Sequence, residues 1–372
     1  MSKKISLLSI FSLLPLFIAA SEDYSSKFSA SLNFKESIPA VRVHIADFEL
    51  PALFSETDSV LCDGKTIKGD SAEIDIVNFS QGVTEYFVAI EEISSAELKN
   101  YKDKRDFWSK ELGIETDVFV SGSIFSINGR KIDNREYFIV IKKRVPFAEA
   151  SKLLGMLLRK YPDRYITLRP VNISNLSSKL SLKISGKKYL CSNFIKVRPK
   201  NGQLKATKNS YNSIEYAYVT AAGEKKVSLS TEKDVESVLK QILPGEMFAS
   251  APLESLKAQA VAARTDIFMQ LGKRHISEPF HICSEVHCQK VKWDETKVHD
   301  KFINAVDSTK GEVLLSENLY VARAPYSSSC GGHTEDIRNV WFTAEKPYLG
   351  GVWDSEEEPD LRDLRDEVNV IK

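Results

Sequence analysis

Histidine and cysteine are concentrated in one part of this 372-residue sequence. Five of the six histidines and three of the five cysteines lie within residues 275–333. Two imidazoles and two thiols fall close together in that segment, at His281, Cys283, His287 and Cys288. Two histidines and two cysteines are the ligand set of a tetrahedral structural zinc, so zinc is a candidate here. A Cys283–Cys288 disulfide and unmodified core residues are the alternatives.

A run of small and polar residues over 326–333 could bind a polar ligand. Its glycines let the backbone approach a bound molecule, while its hydroxyl groups and imidazole offer hydrogen bonds. The candidate ligand-binding residues are Tyr326, Ser327, Ser328, Ser329, Gly331, Gly332 and His333. Cys330 with His333 could instead be a nucleophile with its base, although no third orienting group is evident. An ordinary turn is the remaining alternative.

A single glutamate, Glu246, stands where a catalytic acid could be held. It follows a Pro-Gly pair, between two segments with helical periodicity. A side chain on a short link between packed helices can be fixed while it points into a groove. As a proton donor it would need a pKa raised by partial burial, with Leu243, Met247 and Phe248 as the apolar wall. An exposed linker glutamate is the alternative.

Two helices must position these residues. Apolar residues recur at helical spacing from near Thr231 to Pro244–Gly245. A second helix is predicted over 252–271, with a proline in its first turn, an apolar stripe and Gly272 as its stop. Arg264 lies at the edge of that stripe. Its planar guanidinium could bind the ligand or brace a neighbouring loop.

The upstream half, residues 22–210, is predicted to be rich in β-strands. Stretches of alternating polar and apolar residues are Val41–Ala46, Ile74–Phe79, Tyr86–Ile90, Val118–Ile127 and Tyr137–Ile141. Asn128–Gly129 fits a two-residue hairpin turn. A helix over Phe147–Tyr161 and a strand over Tyr165–Leu168 indicate an inserted α/β segment. The basic stretch 187–208 is interpreted as a solvated loop that marks a domain boundary.

The first 21 residues have the pattern of a secretory signal peptide. Lys3 and Lys4 precede an apolar run that ends in small residues. The run is shorter than the roughly 20 residues that cross a bilayer, so we expect cleavage rather than anchoring. The predicted location is therefore the periplasm or cell envelope, where Cys62 and Cys191 are a candidate disulfide.

Composition excludes several classes of protein. An apolar content of 42% is enough to build a core, and the length suggests two or three domains. Without residues 1–21, 49 basic side chains remain against 51 acidic ones. This balance argues against a nucleic acid partner. The acidic tail over 355–372 is predicted to be a solvated end.

Four blocks in the second half resemble the signature of the stage II sporulation protein D family. In chain order they are Leu243–Met247 followed by Pro252–Thr265, then His287–Gln289, then Tyr326–Glu335, and finally Trp341 with Pro347–Leu349, Val352 and Asp354. Their common order makes the resemblance specific. It implies an α+β fold in which a β-rich N-terminal half precedes a mixed α/β catalytic region over 211–354. The segment over 147–168 also resembles one half of a sporulation-related repeat, a small glycan-binding module.

The family resemblance implies a lytic transglycosylase that cleaves peptidoglycan glycan strands between N-acetylmuramic acid and N-acetylglucosamine. It assigns general acid and base catalysis to Glu246. In such an enzyme the 6-hydroxyl of the sugar closes a 1,6-anhydro ring, so one carboxyl group is enough, whereas ordinary glycosidases use two. No cofactor is needed for this chemistry. Members of the family hold a zinc ion with two cysteines and two histidines near the position of His287–Cys288.

The same resemblance leaves a non-catalytic alternative open. Some relatives are amidase enhancers, so the protein could bind glycan strands and stimulate a cell wall amidase without a reaction of its own. Loss of Glu246 separates the two hypotheses, because only an enzyme depends on it. Either role belongs to cell wall remodelling, division or sporulation.

Overall fold

The computed structural model describes residues 34–35, 38–80, 82–94, 97–127, 130–172, 177–293, 298–316, 320–341 and 346–354. The predicted signal peptide, the turn at Asn128–Gly129 and the acidic tail lie outside the described residues. Strands and helices are both abundant, and the strands dominate the N-terminal half, which confirms the predicted α+β class.

Two large antiparallel sheets share one core. The strands of the first sheet, in spatial order, are β1 (Phe34–Lys35), β2 (Ile38–Glu49), β19 (Lys226–Asp234), β18 (Ala217–Ala221), β15 (Phe194–Pro199), β4 (Thr57–Cys62) and β5 (Lys65–Lys68). Those of the second are β14 (Lys187–Ser192), β13 (Ser177–Ile184), β6 (Ser71–Ser80), β3 (Ala52–Ser55), β16 (Leu204–Ala206) and β17 (Asn209–Tyr211). Alternate side chains of both sheets enter a single apolar cluster, as the period of two in a strand requires. A Cys62–Cys191 disulfide joins β4 to β14, which confirms that predicted pair.

Residues 84–172 form an inserted module with a sheet of its own. Its four antiparallel strands, in spatial order, are β12 (Thr167–Asn172), β7 (Thr84–Ile93), β11 (Glu136–Ile141) and β8 (Thr116–Ser121). The helices of the inserted module are α1 (Tyr101–Leu112) and α2 (Phe147–Lys160). A hairpin of β9 (Ile124–Ile127) and β10 (Arg130–Asp133) extends from this sheet. Ile127 pairs with Arg130, the register expected when two residues connect the strands. A second apolar cluster fills this module.

Three further helices pack against the shared core. They are α3 (Val235–Glu246), α4 (Leu253–Gln270) and α5 (Asp300–Ser308), and a short α6 spans Ile337–Trp341. Helix α3 starts directly where β19 ends, because the Asp234 side chain accepts a hydrogen bond from Ser237 N and caps the helix. Within the described residues, none of the helices is both apolar and long enough to cross a bilayer.

The structure corrects three predictions of local structure. Thr231 lies in strand β19, so α3 begins four residues later than predicted. The basic stretch over 187–208 contains β14, β15 and β16 rather than a loop, and buried apolar residues such as Ile195 and Val197 alternate with its basic ones. Helix α1 was not predicted. Only Trp108 of that helix is buried, so its apolar periodicity is weak.

The boundary predicted near residue 210 does not separate two folding units. Strand β19, beyond the boundary, pairs along its whole length with β2, which lies before it. The described chain thus has a continuous two-sheet core with its helices, and the inserted module projects from that core. The relation of the 147–168 segment to a glycan-binding repeat stays a prediction.

Candidate active site

Glu246 is the last residue of α3. The helix runs through Pro244, and Met247 N closes it with a hydrogen bond to Leu243 O of 2.8 Å. The glutamate therefore belongs to the helix end rather than to the link between helices, which begins at Met247. Five buried apolar side chains of α3 fix the helix on the core, so the position of Glu246 is set by packing.

The backbone of a neighbouring segment fixes the carboxyl group. Lys290 N donates a hydrogen bond of 2.6 Å to Glu246 Oε1. Gly245 permits this approach, because a Cβ at that position would lie 2.3 Å from Lys290 O. Lys292 N also donates to Gln241 O on the same helix, at 3.0 Å. The segment from 288 to 292 is thus held along the end of α3, with one carboxyl oxygen of Glu246 already occupied.

The carboxyl group is partly exposed rather than enclosed by an apolar wall. Leu243 is fully buried in the core, whereas Phe248 is 84% exposed and turns to solvent. Phe248 is therefore not part of the predicted wall, whereas Met247, another predicted member, is half-buried against the main core. Met247 follows the helix end in extended backbone.

A buried glutamine links the catalytic candidate to the serine and glycine run. Gln289 is 2% exposed, and its Nε2 donates to Ala263 O at 3.1 Å and to Asp266 Oδ2 at 3.3 Å. Its Oε1 accepts a hydrogen bond of 3.2 Å from Tyr326 OH. Burial, followed by the negative charges of Glu246 and Asp266, raises the pKa of Tyr326. The Tyr326 hydroxyl is therefore neutral, and Gln289 joins it to the segment whose Lys290 N binds Glu246.

Asp266 is a part of this site that the sequence did not reveal. Burial raises its pKa to about 6, against the opposing charge of Arg274. Gln270 Nε2 also donates to its Oδ2. Asp266 lies on the polar side of α4. In the sequence, the presence of an aspartate in an alanine-rich helix was the feature that could have pointed to it.

The rest of the predicted ligand-binding run follows Tyr326 on the surface. Ser327, Ser328, Ser329, Gly331 and His333 are exposed, and Gly332 is half-buried. Both glycines adopt positive φ, at 69° and 93°, which other residues rarely do. Asp354 N donates to Gly332 O at 2.9 Å, so the run is tied to the segment before residue 355.

Cys330 and His333 have separate partners. Cys330 Sγ donates to Asp354 Oδ2 at 3.7 Å. The His333 ring packs edge-on against Trp353, with 4.6 Å between ring centroids. The two side chains thus do not form the nucleophile and base pair considered above.

Arg264 is a structural brace and not a ligand-binding residue. It is 1% exposed, and its Nε and Nη2 form a bidentate pair with Glu236 at 3.0 and 2.6 Å. Its Nη1 donates to Glu312 O at 3.1 Å. All of these contacts lie inside the core between α3, α4 and the segment after α5, so the predicted substrate contact of Arg264 is wrong.

Four histidine and cysteine side chains come together beside the site. The ligand atoms of His275, Cys283, His287 and Cys288 all lie within 4.8 Å of one another. His275 Nε2 is 3.3 Å from Cys288 Sγ, and Cys283 Sγ is 3.3 Å from His287 Nε2. These spacings match the roughly 3.3–3.8 Å between ligands of a tetrahedral zinc. Both cysteines are free thiols, so the alternative disulfide is not formed.

The structure corrects one member of the predicted ligand set. His281 Nδ1 accepts a hydrogen bond of 2.9 Å from Arg42 N, and the residue pairs with strand β2 outside the cluster. His275 takes its place, six residues earlier. Glu278 holds the other ring nitrogen of His275, the outer contact that metal-bound histidines commonly have.

One thiol of the cluster is already favoured in the thiolate form that binds a metal. A hydrogen bond from Cys283, followed by one from His275, lowers the pKa of Cys288 to about 4 despite burial. Burial would lower the pKa of His275, but hydrogen bonds with Cys288 and Glu278 raise it to about 9, so a metal ion would have to displace a proton from this ring. The donor set fits zinc in number, type and spacing.

Comparison with known proteins finds similarity in the same region. Residues 223–315 match the model of a family described as stage II sporulation protein, SpoIID. The matched range contains Glu246 and the four clustered side chains, and it ends before Tyr326.

Three curated proteins are similar to a comparable part of the chain. An uncharacterised protein of Brachyspira hyodysenteriae is 38% identical over 121 residues, 32% of each chain. An amidase enhancer of Bacillus subtilis is 39% identical over 111 residues, 30% of this chain and 14% of that protein. A stage II sporulation protein D of Bacillus amyloliquefaciens is 32% identical over 129 residues, 30% of this chain and 37% of that protein. The match thus spans between 14% and 37% of the length of these relatives.

Proposed function

Residues 223–315 belong to the stage II sporulation protein D family, and from this premise we propose that the protein is a lytic transglycosylase of the bacterial cell wall. Its substrate is the glycan strand of peptidoglycan, and its product carries a 1,6-anhydro-N-acetylmuramic acid end. Glu246 is the general acid and base. The protein acts in wall remodelling, division or sporulation, in the periplasm or cell envelope after export.

The contact of Tyr326 with the Glu246 site carries the proposal. Tyr326 opens the serine and glycine run, and its hydroxyl binds Gln289, whose neighbour Lys290 donates to Glu246. Two segments far apart in sequence thus bring a carboxyl group and a polar, exposed run to one place. A sugar chain lying along the run has hydroxyl and amide donors beside the carboxyl group.

The reaction needs two proton transfers at one carboxyl group, first from Glu246 and then back to it from a different donor. Lys290 N–H occupies Oε1 of Glu246, and no other hydrogen bond to this carboxyl group occurs within the described residues, so Oε2 is left available for the substrate. The protonated carboxyl group gives its proton to the bridging oxygen as the bond to the anomeric carbon breaks. The sugar's own 6-hydroxyl oxygen then bonds to that carbon, and the proton of this hydroxyl group passes to the Glu246 carboxylate. No second carboxylate is required.

We also propose a structural zinc ion at His275, Cys283, His287 and Cys288. With four protein ligands the ion would hold the chain in place and would leave no open position for substrate. The segment that it holds continues directly into Gln289 and Lys290. Metal analysis of purified protein tests the site: one zinc per chain is expected, and a much lower content in Cys288→Ser. Metal content well below one per chain and unchanged in the variant would contradict it.

An amidase enhancer is the second candidate function. The similarity to the amidase enhancer of Bacillus subtilis favours it. The two functions separate in Glu246→Gln, which keeps the size of the side chain and removes the ionisable carboxyl group. We expect this variant to bind purified glycan strands like the wild type and to release no anhydro ends. If the wild type also releases none but stimulates a wall amidase, and the variant does so equally, the enhancer is correct.

A further inference from the structure

The inserted module is fixed to the catalytic region through a buried carboxylate. Glu136, at the start of β11, is 7% exposed. Its Oε1 accepts hydrogen bonds from Arg323 Nε at 3.1 Å and from Arg323 Nη2 at 2.5 Å. Its Oε2 lies 3.3 Å from Lys273 Nζ, just beyond the end of α4. One carboxylate therefore holds two cations from two different parts of the catalytic region.

Neutral contacts reinforce this junction. Asn134 is 1% exposed, and its Nδ2 donates to Phe268 O at 2.8 Å and to Leu271 O at 2.7 Å. These carbonyl groups lie at the end of α4, where a helix leaves its last acceptors without partners. Val321 N donates to Asp133 O at 2.8 Å. The hairpin side of the inserted module thus binds both the end of α4 and the chain that leads to Tyr326.

A second ion pair joins the inserted module to the chain segment that follows the serine and glycine run. Lys346 contacts Glu92 on β7, and the Glu92 side chain is 2% exposed. Arg323 N donates to Tyr348 OH at 3.3 Å, which ties the segment after residue 346 to the segment before Tyr326. The inserted module therefore contacts the chain on both sides of the serine and glycine run.

The position of Arg323 gives the junction a role at the active site. It lies three residues before Tyr326, the residue that reaches Gln289 beside Glu246. The run itself is exposed and has few internal hydrogen bonds, so its place depends on where its ends are fixed. The first end is fixed to Glu136 through Arg323 and to Gln289 through Tyr326, and the far end is fixed by hydrogen bonds of Gly332 and Thr334 with residues 352–354. The segment that carries residues 352–354 is joined to the inserted module by the pair of Lys346 and Glu92.

We propose that the inserted module positions the substrate-binding run over Glu246, with Glu136 as the positioning residue that acts through Arg323. The role in catalysis rests on the proposed function, whereas the placement of the run does not. The module is thus a support that holds the chain on which the run lies. Glu136 does not touch the substrate.

Hydrogen exchange of the full-length protein tests the placement without any assay of activity. In Glu136→Gln the charge of Glu136 is lost while Arg323 keeps its charge and is left without this counter-ion. Burial already lowers the pKa of Lys273 to about 8, so loss of Glu136 further favours the neutral form of that lysine. We expect amides over 320–326 to exchange about tenfold faster or more, while amides in the centre of α4 keep their rate. Arg323→Lys, which keeps the charge but loses the bidentate contact, is expected to show a smaller change in the same peptide.

Glu115→Gln is the matched control, because it removes an exposed ion pair of the same inserted module, with Lys142. It is expected to leave exchange over 320–326 unchanged. On glycan strands, Glu136→Gln should raise KM several-fold more than it lowers kcat, since the acid itself is intact. Unchanged exchange at 320–326 in folded Glu136→Gln and Arg323→Lys contradicts the proposal. If Glu136→Gln exchanges faster at 320–326 but the wild type does not cleave glycan strands, the placement of the run by the module stands and only the proposed function is contradicted.

Discussion

Glu136 and Glu246 are both linked to the chain segment that carries Arg323 and Tyr326. Their surroundings differ, and the difference distinguishes a structural glutamate from a candidate catalytic one. Glu136 is buried against Lys273 and Arg323, whereas Glu246 is partly exposed and accepts a single backbone hydrogen bond. Burial alone would raise the pKa of Glu136, but the charges of Lys273 and Arg323 outweigh it and hold that pKa well below its usual range. A carboxylate held by two cations stays ionised. A proton donor must avoid such partners, as Glu246 does within the described residues.

The pair of Arg264 and Glu236 extends the same comparison. It lies in the catalytic region, close in sequence to Glu246, yet its side chains are 1% and 9% exposed. Besides each other, the two side chains bind the backbone carbonyl groups of Val306 and Glu312 and the backbone N–H of Gly311, all inside the protein. Burial and pairing, and not distance along the chain, decide which charged residues can take part in chemistry.

The largest expected effect is on activity in Glu246→Gln. Loss of a general acid and base lowers the rate of bond cleavage by about 10²–10⁴-fold, because the leaving oxygen is no longer protonated. Release of anhydro ends from purified glycan strands measures it. Glu254→Gln is the control, since this exposed residue of α4 pairs only with Lys257 among the described residues. Equal loss in both variants would contradict the special role of Glu246.

The largest expected effect on stability is in Arg264→Met. Removing one partner of a buried ion pair leaves Glu236 charged and unpaired, which costs about 3–5 kcal/mol. Denaturant unfolding measures the change in the free energy of unfolding. Arg105→Met, which removes an exposed pair with Asp106, is expected to change it little. A stable Arg264→Met variant that binds glycan weakly would instead support the ligand-binding role.

The contribution of Glu136 to stability should depend on pH. Its pKa in the folded protein is lower than the ordinary value of 4.5, because Lys273, Arg323 and Arg169 face it. The stabilisation is therefore complete above pH 4.5 and is lost as the pH falls below it. The difference in melting temperature between wild type and Glu136→Gln should narrow in acid, and it should not do so for Glu115→Gln. A difference that grows in acid would contradict the ionised state of Glu136.

The smallest expected effect is in Tyr326→Phe. The variant loses one hydrogen bond to Gln289, worth about 1 kcal/mol, so kcat/KM should fall about fivefold with the fold intact. Tyr161→Phe, which loses a contact with Glu111 on the inserted module, is the matched control. If Tyr326→Phe abolishes cleavage, the hydroxyl takes part in proton transfer and Glu246 does not act alone.

The sequence predicted α3 and α4 of the catalytic region because both have strong local signals, whereas α5 and α6 were not predicted. Pro252 and Gly272 bracket α4, and the apolar stripe of α3 has regular spacing. Glu246 was singled out by the resemblance to the family signature, since its local pattern fits an exposed linker glutamate equally well. Helix α1 could not be predicted, since it buries one side chain and is otherwise polar.

Contacts between distant segments were beyond the sequence. His275 replaces His281 in the cluster because the chain after α4 folds back, and spacing along the chain does not report that path. The same holds for Gln289, whose three partners come from α4 and from the run that starts at Tyr326. Arg264 was ambiguous because a guanidinium suits a ligand and a buried carboxylate equally, and only its surroundings decide.

Digestion of purified glycan strands in ¹⁸O-labelled water is the most direct test of the central claim that one carboxyl group cleaves the bond without water. Mass spectrometry of the wild-type products should find 1,6-anhydro ends free of the label, and products of Glu246→Gln should be absent. Reducing ends that carry ¹⁸O, or equal release of anhydro ends by Glu246→Gln, would contradict the account.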